Sequence, residues 1–337
     1  MSTDEPPPSN SETSQVALAT TLEKEAASLF EKEDYPNSLQ NYLKALNIKE
    51  QIFGPDHLET ARLHEKVAKV YKKECRYKKA IKTVLKAFEI YKAKLGEDSL
   101  DIARCYTDLG ILTYYRGKHT ESIDFQRNAL RIRIQHFGEK HLLVAESYFN
   151  IATVYEDLWK YQETLEYFQK CLDIEIQCLG ESHPDVAISY NNIGSALENQ
   201  GKMNEALKAY KQSLNIYKKC YDKDNVNLAV SYSSLADIYY KQKKYKKALE
   251  NLKKCMKIYI KAHGFQSFEV LQTYNEIAVL FQETKCHYEA VKSFKMVGLL
   301  DLKVMGRQHW IRASVDNHIS RTEQDIGRNN PNIESVF

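Results

Sequence analysis

Four histidines recur at equivalent positions of a regular spacing: His57, His141, His183 and His309. Histidine is a common zinc ligand, but a zinc site needs its donor atoms within about 2.3 Å of one ion. Equivalent positions on packed helices lie about 10 Å or more apart. We therefore interpret these histidines as residues of repeat junctions or helix caps, and the sequence predicts neither a metal nor a cofactor.

Two glycine-lysine pairs, Gly117-Lys118 and Gly201-Lys202, imitate part of a phosphate-binding loop. In each case six residues, rather than four, separate the glycine of the pair from the preceding glycine. Both pairs also join helix to helix, whereas a phosphate loop follows a strand. No set of Ser, His and Asp can be nominated for nucleophilic catalysis. The sequence therefore predicts a non-enzymatic protein without a small-molecule substrate.

These histidines and glycines belong to a repeat of 42 residues, which is counted from a glycine at its start. Column n denotes the nth residue after that glycine. Apolar and small residues recur in columns 7, 10, 13, 14 and 17, with the steps of three and four that one helix face shows. Small residues in column 14, among them Gly110 and Gly194, predict close contact with a second helix. That helix comes later in each repeat and has its own stripe of apolar residues. Glycine, which can end a helix at positive φ, marks the repeat at Gly54, Gly96, Gly138, Gly180, Gly264 and Gly306, and Asp222 fills the one empty slot.

The fold class predicted from this repeat is an all-α solenoid of seven helical hairpins over residues 15–306, the first of which precedes the first glycine. Residues 307–326 keep only part of the pattern, with acidic residues in two apolar columns. They predict a polar capping helix that solvates the last face. The polar residues 1–14 predict a disordered tail, and residues 327–337 predict a flexible one.

The columns of the fifth repeat, from Tyr190 and Gly194 to Tyr210, resemble a tetratricopeptide repeat. The 42-residue period, together with His183-Pro184-Asp185 and Asn191-Asn192-Ile193, is similar to the extended repeats of kinesin light chains and nephrocystin-3-like proteins. The resemblance implies a right-handed superhelix in which the first helix of each hairpin lines a concave groove. It also implies an adaptor or scaffold that binds other proteins.

Columns 8, 12, 15 and 19 of the first helices point about 140–180° away from the packing stripe. They are basic in the second hairpin, rich in amides in the fourth and fifth, and mildly acidic towards the end. An Asn amide can both donate to and accept from an extended peptide backbone. The basic residues predict an acidic or phosphorylated segment in the partner, although a solvated helix face is the plainer interpretation. The predicted peptide-binding residues are Arg62, Lys66, Lys69, Lys73, Arg104, Asn150, Asn192, Ser195 and Asn199.

The overall composition narrows the class of partner. The 48 basic and 45 acidic residues leave a net charge of +3, too balanced for a general nucleic-acid binder. No stretch approaches the roughly 18 apolar residues that a membrane span requires. The seven cysteines are odd in number and scattered, which is typical of thiols in a reducing compartment. We expect a cytoplasmic protein with a protein or peptide partner, without nucleic-acid binding or membrane insertion.

An alternative function is a structural subunit of a ciliary or microtubule-associated assembly, or a kinesin-linked cargo adaptor associated with the cytoskeleton or a cilium. A second basic cluster would then contact an acidic surface such as a tubulin tail, although its default interpretation is a solvated face. An RNA-binding helical repeat needs a base-reading pattern in successive repeats, which the groove does not supply. The second cluster consists of Lys241, Lys243, Lys244, Lys246, Lys247, Lys253 and Lys254.

Overall fold

The computed structural model describes residues 10–304 and 310–329, with side chains over 13–304 and 314–324. Helices joined by short turns account for these residues, and no strand occurs among them, so the all-α prediction is confirmed. The fifteen helices are α1 (Asn10–Glu31), α2 (Tyr35–Phe53), α3 (Leu58–Lys73), α4 (Tyr77–Leu95), α5 (Leu100–Tyr115), α6 (His119–Phe137), α7 (Leu142–Asp157), α8 (Tyr161–Leu179), α9 (Pro184–Asn199), α10 (Met203–Cys220), α11 (Val226–Lys241), α12 (Tyr245–His263), α13 (Phe268–Glu283), α14 (His287–Val304) and α15 (Trp310–Asn329).

The helices form the seven predicted hairpins, α1–α2 to α13–α14, followed by α15. We call α1, α3, α5, α7, α9, α11 and α13 first helices, and their partners second helices. The chain divides into two compact units, Met1–Ile174 and Glu175–Phe337. In the first unit α2 packs on α3, α4 on α5 and α6 on α7; in the second, α10 packs on α11, α12 on α13 and α14 on α15. Within each unit a hairpin therefore contacts the next one, as in a solenoid, while the right-handed superhelix stays a prediction.

Glycines in column 14 allow the two helices of a hairpin to approach closely. A Cβ atom added to Gly194 would lie 2.6 Å from the Tyr210 ring, and one added to Gly110 would lie 2.4 Å from the Gln126 amide. Both distances are far below van der Waals contact, so no side chain fits at either glycine without movement of the second helix or its side chains. The predicted close contact is confirmed at both positions.

Glycine also ends second helices at the repeat boundary, as predicted. At Gly54, which caps α2, φ is 89°, a left-handed conformation that glycine adopts without a Cβ clash. The caps of α4, α6 and α12 are glycines with φ of 75–87°. Where Asp222 replaces glycine, α10 ends early at Cys220 and Tyr221 takes an extended backbone. Gly306 lies outside the described residues.

Side chains cap the starts of the first helices. The Nδ1 atoms of His57, His141 and His183 accept hydrogen bonds of 3.1–3.2 Å from the backbone N–H two residues further on. Each bond satisfies one of the N–H groups that a helix start leaves unpaired, so the capping interpretation is confirmed for these three. His309 lies outside the described residues. Within the described part of the chain, no group of three or more His, Cys, Asp or Glu residues is placed to hold a metal ion.

The ends of the chain differ from the predicted boundaries. Helix α1 begins at Asn10, inside the predicted tail, and α15 continues to Asn329, beyond the predicted end of the capping helix at residue 326. The closing helix packs on α14, where the His318 ring stacks on Phe294 with 4.8 Å between centroids. Helical hydrogen bonding thus continues past the point at which the column pattern stops. None of the described helices is long and apolar enough to cross a membrane.

Candidate functional site

The five basic residues of the predicted groove lie on two neighbouring first helices of the first unit. Four of them are on α3 and Arg104 is on α5. Lys66 is half-buried and the other four are exposed, so all five reach the surface as the columns predict.

Two of the predicted cations of α3, Arg62 and Lys66, are paired with carboxylates of the same unit, whereas Lys69 and Lys73 form no ion pair among the described residues. Lys66 reaches Glu23 on α1 at 2.6 Å, and Glu23 also bonds to Lys49 of α2 at 2.7 Å. Lys49 contacts Glu59 at 2.7 Å, and Glu59 pairs with Arg62. Burial alone would raise the pKa of Glu23, but the bonds from the two lysines outweigh it and lower that pKa below its usual value.

A second group of ion pairs surrounds Glu65 of α3, which is only 9% exposed. Its carboxylate accepts a hydrogen bond from the Tyr91 hydroxyl at 2.9 Å and two from the Arg104 guanidinium at 3.2 Å. Arg104 also pairs with Asp101. Burial raises the pKa of Tyr91, and the Glu65 charge raises it further. Three of the five cations at the basic end of the predicted groove, Arg62, Lys66 and Arg104, are therefore compensated by acids of their own unit. The attraction of this end for an acidic partner stays a prediction.

The predicted amide and hydroxyl residues also reach the surface. In the first unit, the Asn150 amide donates a long hydrogen bond of 3.4 Å to Gln126 Oε1. In the second unit, Asn192, Ser195 and Asn199 lie along α9. The Asn192 Nδ2 atom is enclosed, and no described residue accepts its hydrogen bonds. An enclosed donor without an acceptor costs about 1–3 kcal/mol, so the Asn192 amide keeps hydrogen-bonding capacity that no described residue uses.

A pocket of about 420 Å³ opens in the second unit between the first helices α9, α11 and α13. Its volume is at the small end of the range for ligand sites, roughly 300–1,000 Å³. It therefore suits one or two side chains of a peptide better than a large molecule. The lining residues are Glu198, Tyr210, Ser233, Ser234, Ala236, Asp237, Tyr240, Leu252, Asn275, Glu276, Val279 and Leu280.

Two of the pocket carboxylates share a lysine. Glu198 accepts a hydrogen bond from the Tyr210 hydroxyl at 2.8 Å and pairs with Lys241. Lys241 also contacts Asp237 at 2.9 Å. Burial and a hydrogen bond with Asp237 raise the pKa of Glu198, although Lys241 and Tyr210 act in the opposite direction. One cation thus serves two acids that compete for it.

Glu276 of α13 is a third carboxylate at the pocket, and no cation among the described residues forms an ion pair with it. The Glu276 side chain keeps a solvent-accessible edge, because it lines the wall of an open pocket. Protein atoms nevertheless surround most of its carboxylate and bury it from water. This burial, with a smaller contribution from Asp237, raises the pKa of Glu276 to about 7. Because carboxylates outnumber cations here, the pocket favours a ligand that brings positive charge or hydrogen-bond donors.

The sequence predicts part of this pocket and misses the rest. Columns 12 and 15 place Asp237 and Glu276 at the mildly acidic end of the groove, and both line the pocket. Glu198 and Tyr240 in column 18, and Ser233 in column 11, also line it but fall outside the predicted columns. Columns 11 and 18 are seven residues apart and therefore share one helix face. A predicted face widened to include these two columns would contain all three residues.

Comparison with known proteins agrees with the repeat architecture. The family model described as tetratricopeptide repeat matches residues 17–93, 61–135, 112–174, 143–219 and 185–261, which together cover more than half of the chain. No curated protein matches the sequence.

Several solved structures have the same fold. BtubC (BKLC) from P. vanneervenii matches with a TM-score of 0.57 and 20% identity, over 76% of this chain and 94% of that one. A kinesin-light-chain candidate from Podosopora anserina, built of nearly identical TPR-like repeats, matches with a TM-score of 0.55 and 19% identity over 61% and 98%. The Rap conjugation gene regulator of plasmid pLS20, solved with the Phr* peptide, matches with a TM-score of 0.54 and 17% identity over 92% and 82%. These matches confirm the resemblance in fold to kinesin-light-chain-type repeats.

Proposed function

Because the chain belongs to the tetratricopeptide repeat family, whose fold typically serves as a protein-interaction scaffold, we propose that it is a non-enzymatic adaptor. It binds a segment of a partner protein along its first helices, and the predicted groove residues are part of this proposal. The cytoplasmic location and the cytoskeletal or ciliary association predicted from the sequence also remain proposals.

The pocket between α9, α11 and α13 supports this function most directly. It combines an apolar wall, including Val279 and Leu280, with hydroxyl, amide and carboxylate groups. Ligand sites are built in this way because apolar surface provides affinity and a few polar groups orient the ligand. The carboxylates Asp237 and Glu276 exceed the available positive charge, so the occupant we propose is a Lys or Arg side chain of the partner peptide.

The unused amide on α9 supports the same surface. An extended peptide backbone presents carbonyl groups that could accept from the Asn192 amide once this enclosed side chain rotates towards the partner, and no described residue accepts a hydrogen bond from its Nδ2 atom. The Rap regulator that shares this fold was solved in complex with a peptide, which is consistent with peptide binding by a solenoid of this kind.

Selection of peptides from a random displayed library, with the full chain as the target, tests the proposal. The pocket variant Asp237→Asn with Glu276→Gln removes two negative charges from the first helices. The control variant Glu205→Gln with Glu289→Gln removes two from exposed positions on the second helices of the same unit. We expect selected peptides to contain Lys or Arg and to lose about tenfold in affinity for the pocket variant, but not for the control.

Two results would contradict the proposal at different levels. If the library yields no specific binder, the adaptor function fails. If binders retain their affinity for the pocket variant, the site lies elsewhere, and Asn192→Ala or Asn150→Ala then shows whether the amide positions carry the binding. Either alanine variant should weaken binding without lowering the melting temperature.

A further inference from the structure

The second helices of the second unit carry the opposite charge to its first helices. Helices α10, α12 and α14 contain thirteen lysines and four acidic residues. Helices α9, α11 and α13 contain six acidic residues and one lysine. The second unit is therefore polarised between its two rows of helices, and none of the lysines of α10, α12 and α14 lines the pocket.

Six of these lysines are in register from one helix to the next. Lys211, Lys253 and Lys295 follow one another at intervals of 42 residues, as do Lys219, Lys261 and Lys303. All six side chains are exposed. Because each repeat is a structural copy of the one before, equivalent positions line up across neighbouring hairpins. The six residues form two lysine ladders that cross three successive second helices.

Acidic residues of the chain neutralise the ladders only in part. Lys261 pairs with Asp224, and Lys295 approaches Glu323 at 3.7 Å. The other four ladder lysines form no ion pair within the described ranges. In the four second helices before α10, which are α2, α4, α6 and α8, the same columns lack a ladder. The column of Lys211 holds Leu43, Leu85, Arg127 and Gln169. The column of Lys219 holds Gln51, Ala93, Gln135 and Gln177.

Like charges are also concentrated along α12 itself. Lys253, Lys257 and Lys261 follow one another at intervals of four residues on one side of this helix, an arrangement in which neighbouring charges repel. A bound anion relieves that repulsion and so interacts with the ladder more favourably than with a single lysine. The field acts over about 8 Å at physiological ionic strength, which limits it to a ligand lying on the helices.

From this arrangement we propose that the lysine ladders bind an acidic segment of a partner protein, rich in Asp and Glu, lying across α10, α12 and α14. The ammonium group of Lys is a flexible point charge that matches mobile carboxylates. Arginine, whose planar fork is favoured for phosphate and nucleic acid, is absent from these three described helices. The Tyr232 ring beside the ladders is already engaged by Lys218 and Lys254, at 5.7 and 5.4 Å from its centroid. This surface is distinct from the pocket and does not depend on the function proposed for it.

Binding of a fluorescent peptide of consecutive Glu residues, followed by anisotropy at several salt concentrations, tests the assignment. A ladder variant and a control variant each remove three exposed lysines, so their net charges are equal. The ladder variant carries Lys211→Gln, Lys219→Gln and Lys253→Gln, and the control carries Lys78→Gln, Lys82→Gln and Lys86→Gln on α4 of the first unit. We expect the ladder variant to lose about tenfold in affinity and most of its salt dependence, and the control to lose less than about twofold.

Four outcomes would overturn the proposal. The first is failure of the wild-type chain to bind the Glu peptide at low salt. The second is unchanged affinity of the ladder variant, and the third is an equal loss in both variants, which would show that only net charge matters. The last is stronger, ladder-dependent binding of phosphatidylserine vesicles or single-stranded RNA, which would assign the ladders to a membrane or a nucleic acid.

Discussion

The carboxylates of the first helices have different partners in the two units. In the first unit, Glu23 and Glu65 each form bonds with more than one group of that unit. In the second unit, Lys241 is shared between Glu198 and another acid, and Glu276 faces no cation among the described residues. Both sets of carboxylates stand on first helices, with Glu65 in column 11, Glu198 in column 18 and Glu276 in column 12 of their repeats. The fold therefore determines where such side chains stand, but not whether the chain itself neutralises them.

This difference separates a stabilising role from a binding role. Ion pairs and hydrogen bonds that link α1, α2 and α3, or α3, α4 and α5, strengthen the contacts between neighbouring hairpins on which a solenoid depends. The second unit leaves negative charge on its first helices and positive charge on its second helices. Charge that is not compensated internally is available to a partner, and both proposed binding surfaces use such charge on the helices of the second unit.

The largest change in the free energy of unfolding is expected at the column-14 glycines, Gly110 and Gly194, which contact the second helices. Gly194→Ala should cost about 2 kcal/mol, because its Cβ would collide with the rigid ring of Tyr210, which also holds Glu198. Gly110→Ala in the first unit should cost about 1 kcal/mol, because the colliding group is the flexible end of Gln126. Chemical denaturation of both variants measures the difference. Equal costs would show that the collision partner does not matter.

Neutralising one carboxylate in each unit should change the free energy of unfolding in opposite directions. Glu65→Gln removes a charge that Arg104 needs and should destabilise the chain by about 1–2 kcal/mol at pH 8, since Arg104 is partly solvated. Glu276→Gln removes a charge without a partner and should stabilise it by about 1 kcal/mol, a value reduced by solvent screening of this exposed side chain. Free energies of unfolding at pH 5 and pH 8 test both expectations.

The pH dependence of the second variant follows from the direction of its pKa shift. The pKa of Glu276 is raised from 4.5 to about 7, so the folded chain holds this proton more tightly than the unfolded chain. The destabilising contribution is therefore absent below about pH 4.5, grows as pH rises and is complete above about pH 7. Glu276→Gln should remove this fall in stability. If Glu276→Gln instead lowered the free energy of unfolding at pH 8, as expected for Glu65→Gln, the proposed difference between the two units would be wrong.

The smallest effect concerns the turn within each hairpin, which both units share. One residue of each described turn adopts positive φ, and it is glycine in only two of them. A side chain there costs about 1–2 kcal/mol, while glycine costs about 0.5–1 kcal/mol through its greater freedom in the unfolded chain. The residues concerned are Glu33, Cys75, Gly117, Trp159, Gly201, Lys243 and Lys285.

Replacement by glycine should therefore give a similar small gain in either unit. We expect Trp159→Gly in the first unit and Lys243→Gly in the second each to raise the free energy of unfolding by about 0.5 kcal/mol. The reverse change, Gly201→Lys, should lower it by about as much, and denaturant titration measures all three. Markedly unequal gains would show that the backbone itself, and not only its side chains, differs between the units.

Features that recur within one repeat could be predicted from the sequence. Helix periodicity, the helix-ending Gly54 and the capping histidines are local, because each depends on residues within a few positions of one another. The surface positions of the nine predicted groove residues follow from the same periodicity, whereas their role in binding stays a prediction. The acidic part of the pocket was predictable at Asp237 and Glu276, which occupy the chosen columns.

The amino-acid sequence by itself thus determined the repeat, the hairpins and the faces on which charges stand. Only the tertiary structure decided which charges are compensated. Lys66 reaches Glu23, and Lys241 reaches Glu198, across 43 residues of chain on neighbouring first helices. Such contacts depend on the distance and packing between hairpins, which a periodicity within one helix does not contain. The physical reason is that helix formation is a local property, whereas the neutralisation of a charge depends on whatever residue the fold brings next to it.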